Sequence, residues 1–569
     1  MNLNIMVGGE AGQGVQSIGF LLAQIFARGG YHVFADQDYE SRVRGGHNFY
    51  RIRVSEIEIG AIHEKLDILI AMNEESVDLH QGELAPGGVL IFDSEKARGF
   101  EEGSSLGIPI DKLARDVAGN KLTANTVALG ATLGLVRYDR EIVISVLKKH
   151  FGTGDIGEAN LKAAEAGYRY AVDQFKGAFN RQLSPISGER RMLINGNEAI
   201  ALGAIAAGCT FVAAYPMTPA TTIMEYLAAR ADDLGMVVIQ PEDEIAAVHM
   251  AIGASFAGSR AMTATSGGGF CLMVEGIGLA GMTETPVVIV ESQRAGPAIG
   301  LPTRTEQSDL QFAIHASHGD FPRAVLAPAD IEDCFRLTVK AFNLAEKYQI
   351  PVILLTDHNL SSSYSTLQKF DLSEVKIERG QMLTEEDLKG VMEYKRYRIT
   401  PSGISPRAVP GGSALVVADS DAHGEDGHII EDAQTRTNQM LKRMRKLEGL
   451  RQEIGSPRVY GPAKAEITLV GWGSTWGALR ETVDTLRSEG LDINHLHLAE
   501  IWPFPAEAVS RILSESRRIF IVENNASGQM AELIRSQTGI KESGNIRKFD
   551  GRPFTPQIII EHLRKEIKV

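Results

Sequence analysis

The feature that most constrains this chain is a series of near-continuous apolar runs, each ending in a loop of small or polar residues. Within residues 210–357 these runs include TFVAAYP, RAMTAT, PVVIVES and PVILLTD. Parallel strands buried on both faces of a sheet have this composition, whereas half-exposed strands alternate apolar and polar residues. Helical patterns separate the runs, so we predict an α/β fold built on largely parallel sheets covered by helices.

The chain has 569 residues, which suits three α/β domains joined by less regular segments. We predict a first doubly wound domain over residues 1–182, a polar linker over 183–191 and a second domain over 192–365. An irregular connecting region rich in proline, glycine and charge follows over 366–460, and a third domain occupies 461–569.

The composition excludes several classes of protein. The net charge of −14 argues against a nucleic-acid surface, which needs clustered positive charge. The three cysteines, Cys209, Cys271 and Cys334, form no CxxC pair, so we expect no disulfide framework and a reducing compartment such as the cytoplasm. Three cysteines also cannot hold a four-cysteine iron–sulfur cluster. We expect neither a signal peptide nor a membrane span.

A glycine-rich turn, GGEAGQGVQS, lies between the first predicted strand and helix. Backbone N–H groups in such a turn can approach a phosphate at the helix N-terminus. The spacing of Gly12, Gly14 and Ser17, with Asp36 at the end of the next strand, is a weak match to an NAD-binding fingerprint. A tight turn that is needed only for packing explains the same residues about equally well.

Two basic segments carry different predictions. The cluster SRVRGGHN, with Arg42, Arg44 and His47, suits an anionic ligand or an interface. The run LKRMRKLEG lies in a helix that we predict over residues 432–449, and we interpret its charges as a solvated helix face.

The segment AAYPMTPATT ends an apolar strand of the second domain. Its prolines fix the local backbone, because each one locks its own φ and restricts the residue before it. Ligands of open α/β sheets bind at the carboxyl ends of strands. Tyr215, Pro216 and Thr218 are therefore candidate ligand-binding residues, although a merely rigid loop would also explain the prolines.

Glu244 begins a helix of small residues in the segment PEDEIAAVHMAIGAS. An acid at a helix N-terminus is often only a partner of the helix dipole. The neighbouring motifs favour a functional role instead. Thr265 and Ser266 start a second ligand-facing loop, and the loop 293–310 carries Arg294, Thr303 and Arg304, where arginines suit the recognition of carboxylates.

Together these motifs resemble the 2-oxoacid:ferredoxin oxidoreductases. YPMTP, EDEIAAVHMAIGAS, MTATSGGGF and QRAGPAIGLPTRTEQSDL resemble the α subunit, and GGEAGQGVQSIGFLLA with SRVRGGHNF resembles the γ subunit. The order γ then α matches the fused form of the family. The resemblance implies a γ-type domain, a pyrimidine-type thiamine-diphosphate-binding domain and a domain similar to the C-terminal domain of transketolases.

The resemblance also implies an activity and a set of partners. Family members convert a 2-oxoacid and coenzyme A into acyl-CoA and CO2 and pass two electrons to ferredoxin, or run the reverse carboxylation. Thiamine diphosphate is shared with a β subunit, which is expected to hold Mg²⁺ and the [4Fe-4S] cluster in an α2β2 assembly. The fusion and the segment DSDAHGEDGH favour 2-oxoglutarate as substrate, with pyruvate or a broad range of 2-oxoacids as the alternative.

Site residues carry over by position. Glu244 matches the glutamate that activates the pyrimidine ring, and its nine-residue spacing to Gly253 favours it over Glu242. Thr218 matches a substrate-facing threonine and Arg294 an arginine that holds the 2-oxoacid carboxylate, while Thr303 and Arg304 are expected to shape specificity. The cofactor-binding set adds Tyr215, Pro216, Thr265 and Ser266. The family often has SGPG where this chain has Ser266–Gly269 as SGGG.

In the γ-type domain, the resemblance implies that Gly12, Gly14, Arg42 and Arg44 contact coenzyme A or form an interface, which weakens the NAD hypothesis. Two other functions stay open at this point: an NAD-binding dehydrogenase, and a noncatalytic electron-transfer scaffold. NADH binding by residues 1–182 would favour the dehydrogenase. Unchanged turnover after Glu244→Gln would favour the scaffold.

Overall fold

A computed structural model describes residues 2–41, 45–97, 103–186 and 191–567. The chain divides into two compact units. The first unit comprises Met1–Asn195, Ser362–Lys369 and Thr555–Ile558, and the second comprises Gly196–Ser361, Phe370–Phe554 and Ile559–Val569. The first unit is therefore assembled from three separate stretches of the sequence.

Strands and helices alternate along most of the described chain, as the apolar runs predict. The strands are β1 (Asn2–Ala11), β2 (His32–Asp38), β3 (Gly45–Ser55), β4 (Leu66–Ala71), β5 (Leu84–Asp93), β6 (Ser105–Ile108), β7 (Met192–Asn195), β8 (Phe211–Ala213), β9 (Val237–Ile239), β10 (Ala261–Thr265), β11 (Val287–Gln293), β12 (Ala324–Leu326), β13 (Pro351–Asp357), β14 (Tyr364–Leu367), β15 (Arg458–Tyr460), β16 (Ile467–Trp472), β17 (Ile493–Leu498), β18 (Glu500–Trp502), β19 (Arg518–Glu523) and β20 (Gly544–Arg547).

The helices are α1 (Val15–Arg28), α2 (Glu74–His80), α3 (Ile110–Ala118), α4 (Ala124–Leu135), α5 (Arg140–Phe151), α6 (Asp155–Gln174), α7 (Gly196–Ala206), α8 (Thr221–Ala228), α9 (Ala231–Leu234), α10 (Glu244–Phe256), α11 (Gly267–Met282), α12 (Leu310–His315), α13 (Ile331–Tyr348), α14 (His358–Ser362), α15 (Glu385–Leu388), α16 (Ala433–Glu453), α17 (Trp476–Ser488), α18 (Ala506–Leu513), α19 (Gln529–Thr538) and α20 (Pro556–Ile567).

The first unit is built on a mixed eight-stranded sheet, in the order β6-β5-β4-β1-β3-β2-β14-β7. The apolar runs LDILIAM and GGVLIFD form β4 and β5, which pair in parallel. Strand β3 was not predicted, and it lies between β1 and β2, antiparallel to both. The prediction of a doubly wound parallel sheet therefore misses this insertion. The residues Gly45–Asn48, part of the cluster that we predicted to suit an anionic ligand or an interface, open this strand.

The second unit contains two sheets that share one apolar core. The seven-stranded sheet has the order β18-β12-β13-β11-β10-β8-β9, and the five-stranded sheet has the order β15-β17-β16-β19-β20. All pairs are parallel except β12 with β18 and β15 with β17. Side chains of both sheets, such as Ile353 and Trp472, belong to the same buried cluster. Parallel pairing places the loops after β8, β10 and β11 at one edge of the larger sheet.

The basic run in α16 corrects our prediction of a solvated helix face. Lys442 and Lys446 are fully buried. Their Nζ atoms lie 2.6 Å and 2.5 Å from the two carboxylate oxygens of the buried Glu284. The helix is therefore fixed to the rest of the second unit by a buried cluster of charges, which a surface helix would not need.

No helix in the described part of the chain is long and apolar enough to cross a membrane.

Candidate active site

The candidate site lies at the carboxyl-end edge of the seven-stranded sheet, where ligands of open α/β sheets bind. The loop after β8 carries Tyr215–Thr218, and the loop after β10 leads into α11 at Gly267. The loop after β11 begins at Arg294. Helix α10 begins at Glu244 and packs on both α11 and β10. The sheet topology thus brings the predicted motifs of the second domain to one region.

Glu244 is the first residue of α10 and is only 3% exposed. The side chain of Asp243 caps the helix by accepting a hydrogen bond from the N–H of Ala246 at 2.8 Å. Among the described residues, Glu244 Oε1 has no hydrogen-bond partner. Glu242, the competing candidate, is exposed. A buried acceptor without a partner costs free energy, so the position suits a ligand atom that completes a hydrogen bond there.

Gly269 lies directly against Glu244. A Cβ at this position would be 2.5 Å from Glu244 Oε1 and closer still to Thr265 Oγ1, and real Cβ atoms do not approach so closely. Thr265 and Ser266 are fully buried, and Ser266 Oγ is unpartnered within the described ranges. The glycines of SGGG therefore let α11 approach the acid, a requirement that the sequence did not reveal.

Arg294 is joined to the proline-rich loop. Its Nη1 donates to the carbonyl oxygen of Thr218 at 2.9 Å, and the Thr218–Pro219 peptide bond is cis. Burial lowers the pKa of Arg294. Its Nε makes no hydrogen bond to any residue that the structure describes. One edge of the guanidinium is thus used to hold the loop, and another donor remains for a ligand.

The other loop residues differ in exposure. Thr218 and Pro216 are half-buried, and Tyr215 is exposed. The loop is also held by Asn197, whose Nδ2 donates to the carbonyl of Pro219 at 2.7 Å. Asn197 was not predicted, because it lies on α7, far from the motif in the sequence.

Thr303 and Arg304 form a turn in the loop after β11. Arg304 Nη1 donates to the carbonyl of Thr303 at 3.0 Å. The side chain of Arg304 also packs closely on Gly551, where a Cβ would lie 2.9 Å from the Cβ of Arg304. Arg304 therefore connects the loop after β11 with the segment that follows β20.

A pair of buried carboxyl groups was missed by the sequence analysis. Glu291 is fully buried in β11, in register with Thr265 of β10. Burial and then the adjacent Asp309 raise the pKa of Glu291 well above its usual value, and burial also raises the pKa of Asp309. Asp309 Oδ2 lies 2.7 Å from the point where a Cβ on Gly267 would be. This acid pair therefore lies against the first turn of α11, the same turn that contacts Glu244.

In the first unit, the glycine-rich turn has the backbone that the sequence predicts. Gly12 and Gly14 have φ values of 95° and 79°, a region that favours glycine, and Gly14 precedes α1. Arg42 and Arg44 lie outside the described residues. Asp36 receives two hydrogen bonds from Arg51, at 3.0 Å and 2.7 Å, which occupy the carboxylate that the NAD hypothesis assigned to a ribose.

Within the described residues, no group of three or more histidine, cysteine, aspartate or glutamate side chains is arranged to hold a metal ion. The three cysteines are free thiols, with Cys209 and Cys334 buried and Cys271 exposed.

Three family models match the chain in succession. The model described as "Pyruvate ferredoxin/flavodoxin oxidoreductase" matches residues 4–170. The model described as "Pyruvate flavodoxin/ferredoxin oxidoreductase, thiamine diP-bdg" matches 202–442, and "Pyruvate:ferredoxin oxidoreductase core domain II" matches 465–559. The candidate site lies inside the thiamine-diphosphate-binding match.

Curated relatives extend the similarity to the whole chain. The 2-oxoacid:ferredoxin oxidoreductase subunit alpha of a Sulfolobus species is 34% identical and covers 100% of this chain and 97% of its own length. The 2-oxoglutarate oxidoreductase subunit KorA of Mycobacterium tuberculosis is 29% identical over 94% of this chain and 87% of its own. The 2-oxoglutarate synthase subunit KorA of Methanothermobacter thermautotrophicus is 34% identical, over 65% and 98% respectively.

A solved structure agrees with these matches. The 2-oxoglutarate:ferredoxin oxidoreductase from Magnetococcus marinus, with 2-oxoglutarate, coenzyme A and succinyl-CoA bound, is 34% identical to this chain. The match has a TM-score of 0.93 and covers 100% of this chain and 99% of the other.

Proposed function

This chain belongs to the 2-oxoacid:ferredoxin oxidoreductase family, as an alpha subunit, and from that premise we propose that Glu244 binds the pyrimidine ring of thiamine diphosphate. The subunit then takes part in the CoA-dependent oxidation of a 2-oxoacid to acyl-CoA and CO2, or in the reverse carboxylation. The observation that carries the proposal is the close approach of Gly269 to Glu244, at a buried carboxylate whose Oε1 has no partner among the described residues.

The residues present fit the pyrimidine half of thiamine diphosphate. Gly269 lets α11 pack directly against the buried acid, and a Cβ on Gly253 of α10 would meet no atom within 4 Å. Two donors or acceptors nearby, Ser266 Oγ and Glu244 Oε1, lack partners in the described structure. Buried polar atoms are normally hydrogen-bonded, so a ring with polar nitrogen atoms accounts for both.

Each residue has a separate role in this proposal. When bound, thiamine diphosphate supplies the carbon nucleophile for the 2-oxo group and accepts the electron pair released with CO2. Glu244 holds a ring nitrogen through Oε1 and exchanges a proton there, as expected of a buried acid–base group. Thr218 directs its hydroxyl to the substrate, and Tyr215, Pro216 and Thr265 complete the cofactor pocket. Arg294 binds the 2-oxoacid carboxylate through its remaining N–H groups.

We propose 2-oxoglutarate as the preferred substrate. The solved relative has 2-oxoglutarate bound, and two curated relatives are named for it. Thr303 and Arg304 lie in the loop after β11, and a guanidinium there would pair with the distal carboxylate of a five-carbon dicarboxylic substrate. Pyruvate or a broad range of 2-oxoacids is the alternative, which the more general name of the Sulfolobus relative supports.

We further propose a β partner that holds the diphosphate, Mg²⁺ and a [4Fe-4S] cluster, in an α2β2 enzyme that reduces ferredoxin. Exposed apolar side chains support this partner. Ile245 and Met250 on α10 and Leu272 on α11 are exposed, on the two helices that begin at the candidate site. Exposed apolar patches of this kind are typical of protein interfaces. Free cysteines suit a reducing compartment, and we place the enzyme in the cytoplasm.

The glycine-rich turn of the first unit is proposed to contact coenzyme A or a neighbouring subunit. The solved relative has coenzyme A bound, and Gly14 is the N-cap of α1, a position where helix N–H groups can bind an anion. Arg42 and Arg44 are included in this proposal on sequence grounds alone.

The test is to purify the chain with its partner and measure reduction of ferredoxin or a viologen. Pyruvate, 2-oxoglutarate and a branched 2-oxoacid are compared in the presence of coenzyme A. The proposal expects the highest kcat/KM with 2-oxoglutarate. Equal rates with all three would support the broad-range alternative, and the absence of turnover with every 2-oxoacid would refute the assignment.

A further inference from the structure

A cavity of about 200 Å³ lies in the second unit, between α11, the loop after α12 and α16. It also contacts the segment DSDAHGEDGH through Ser420, a motif that the proposed function leaves without a role. The lining residues that bear on its chemistry are Glu275, His318, Asp320, Ser420, Arg436 and Arg443. The volume is below the range of about 300–1,000 Å³ that is typical of cofactor and drug-sized ligands, so only a small molecule or ion fits.

Arg443 lines this cavity and is only 3% exposed. Its Nη1 contacts the thioether sulfur of Met440 at 3.5 Å, which is a weak acceptor. Its Nε has no hydrogen-bond partner in the described part of the chain. A buried guanidinium with so few acceptors is costly, because arginine carries five N–H donors that need partners out of water.

The buried charged cluster around Arg443 has more cationic than anionic side chains. Glu284 is the carboxylate at the centre of the cluster, and four cations act on it: Lys442, Lys446, Arg396 and Arg443. Burial lowers the pKa of Lys446 to about 7 and also lowers the pKa of Lys442, whereas the guanidinium groups of Arg396 and Arg443 stay charged. His423 adds no further positive charge, because burial lowers its pKa below the ordinary value of 6.5. This buried region therefore carries an excess of positive charge beside an open cavity.

We propose that the cavity binds a small oxyanion, of phosphate or carboxylate chemistry, with Arg443 as its principal ligand. The guanidinium fork matches two oxygens of such an anion. Arg436 lies seven residues earlier on α16, hence on the same face about 10 Å along the helix. Its exposed side chain also lines the cavity and supplies a second cation. The anion supplies the negative charge that the buried cluster lacks.

The two carboxylates of the lining lie at the rim. Asp320 is exposed, and Glu275 is exposed and pairs with His249 at 3.4 Å. Solvent screens these charges, whereas the charge of Arg443 is buried and screened far less. The inference does not depend on the proposed activity, since the cavity lies along the C-terminal half of α11 rather than at its first turn, and it is tested by binding alone.

The test measures binding of inorganic phosphate and of succinate to the purified full chain, by calorimetry and by the thermal midpoint at constant ionic strength. We expect saturable binding of at least one of the two, and the tighter one identifies the chemistry. In R443M the affinity falls more than about tenfold, since charge-assisted hydrogen bonds are lost. R436Q weakens binding less, and R487Q, at an exposed arginine of α17, leaves it unchanged.

The midpoint without anion separates this role from a structural one. If Arg443 is retained for an anion, R443M has an unchanged or higher midpoint, because a costly buried cation has been removed. A lower midpoint together with unchanged anion binding would overturn the proposal. If neither anion binds saturably, the proposal is also overturned. It is overturned as well if adding the β partner abolishes anion binding, because a carboxylate of the partner would then occupy the cavity.

Discussion

Gly269 and Glu244 are in contact across two helices: a Cβ on Gly269 would lie 2.5 Å from Glu244 Oε1. The acid begins α10, and the glycine lies in the first turn of α11. The N-termini of the two helices thus pack together at the candidate cofactor position. The carboxylate of Glu244 cannot move toward α11 unless that helix also moves.

We first predict that Gly269→Ala disables the site without unfolding the chain. The added methyl group meets both Thr265 Oγ1 and Glu244, so the acid must shift. A shift of about 1 Å in a catalytic group can cost about 100-fold in rate. Steady-state kinetics of the assembled enzyme measure the effect. The matched control is Gly268→Ala, where the nearest atom to the new Cβ is the Ala298 carbonyl oxygen at 3.7 Å, and near-normal activity is expected.

The second prediction concerns Arg294→Lys. The substitution keeps the charge but removes the guanidinium group. In the natural chain, Nη1 of that group holds the Thr218 carbonyl while Nε has no partner among the described residues. Lysine cannot bind a carboxylate in the same bidentate way. We expect KM for the 2-oxoacid to rise about tenfold or more, with a smaller change in KM for coenzyme A. An equal rise in both constants would argue against a substrate carboxylate at Arg294.

Glu284→Gln should strongly destabilise the second unit. The change leaves Lys442 and its neighbouring cations buried without their carboxylate. Removal of one partner from a buried ion pair typically costs about 3–5 kcal/mol. Thermal unfolding of the purified chain measures the loss. Glu489→Gln, which breaks an exposed pair with Arg564, should have little effect.

The acid pair gives a prediction for pH. Burial raises the pKa of Glu291 well above the ordinary value of 4.5. Its contribution to stability is therefore complete below pH 4.5, where the carboxyl is protonated in both states, and is lost as pH rises toward the folded-state pKa. Glu291→Gln cannot ionise, so its thermal midpoint relative to the natural chain should improve steadily as pH rises from 5 to 8.

Two acidic groups, the carboxyl of Asp309 and the thiol of Cys271, add to burial in raising the pKa of Glu291. Burial and the neighbouring Asp309 raise the pKa of Glu306 to about 7. The contribution of Glu306 to the stability of the chain is therefore lost as pH rises from 4.5 to about 7. Glu507→Gln on the exposed face of α18 serves as a control for general charge effects. A pH-independent difference between Glu291→Gln and the natural chain would contradict the prediction.

The sequence predicted the parallel strands well because their composition reports burial on both faces, and it placed the motifs of the second domain at one sheet edge for the same reason. It missed β3, whose sequence GGHNFYRIRVS begins with two glycines and carries Arg51 and Arg53. Arg51 is tolerated there because Asp36 of the adjacent strand pairs with it. Such a partner is visible only once the strands are paired.

Long-range partners explain the other differences. The lysines of α16 looked like surface charges because Glu284 is 158 residues from Lys442 in the sequence. The acid pair and Asn197 were missed for the same reason, since local composition does not show which side chains meet after folding. Gly269 was visible as part of a flexible run, but its role depends on a helix that starts 25 residues earlier.

The most direct test of the central claim is the turnover of Glu244→Gln in the complex with the β partner, with the thiamine diphosphate content measured in parallel. The account predicts an assembled enzyme whose kcat falls by about 100-fold or more, as expected for loss of an acid–base group. Glu242→Gln, at the exposed neighbouring acid, should keep its rate. Normal turnover of Glu244→Gln would contradict the account and favour a noncatalytic role for this chain.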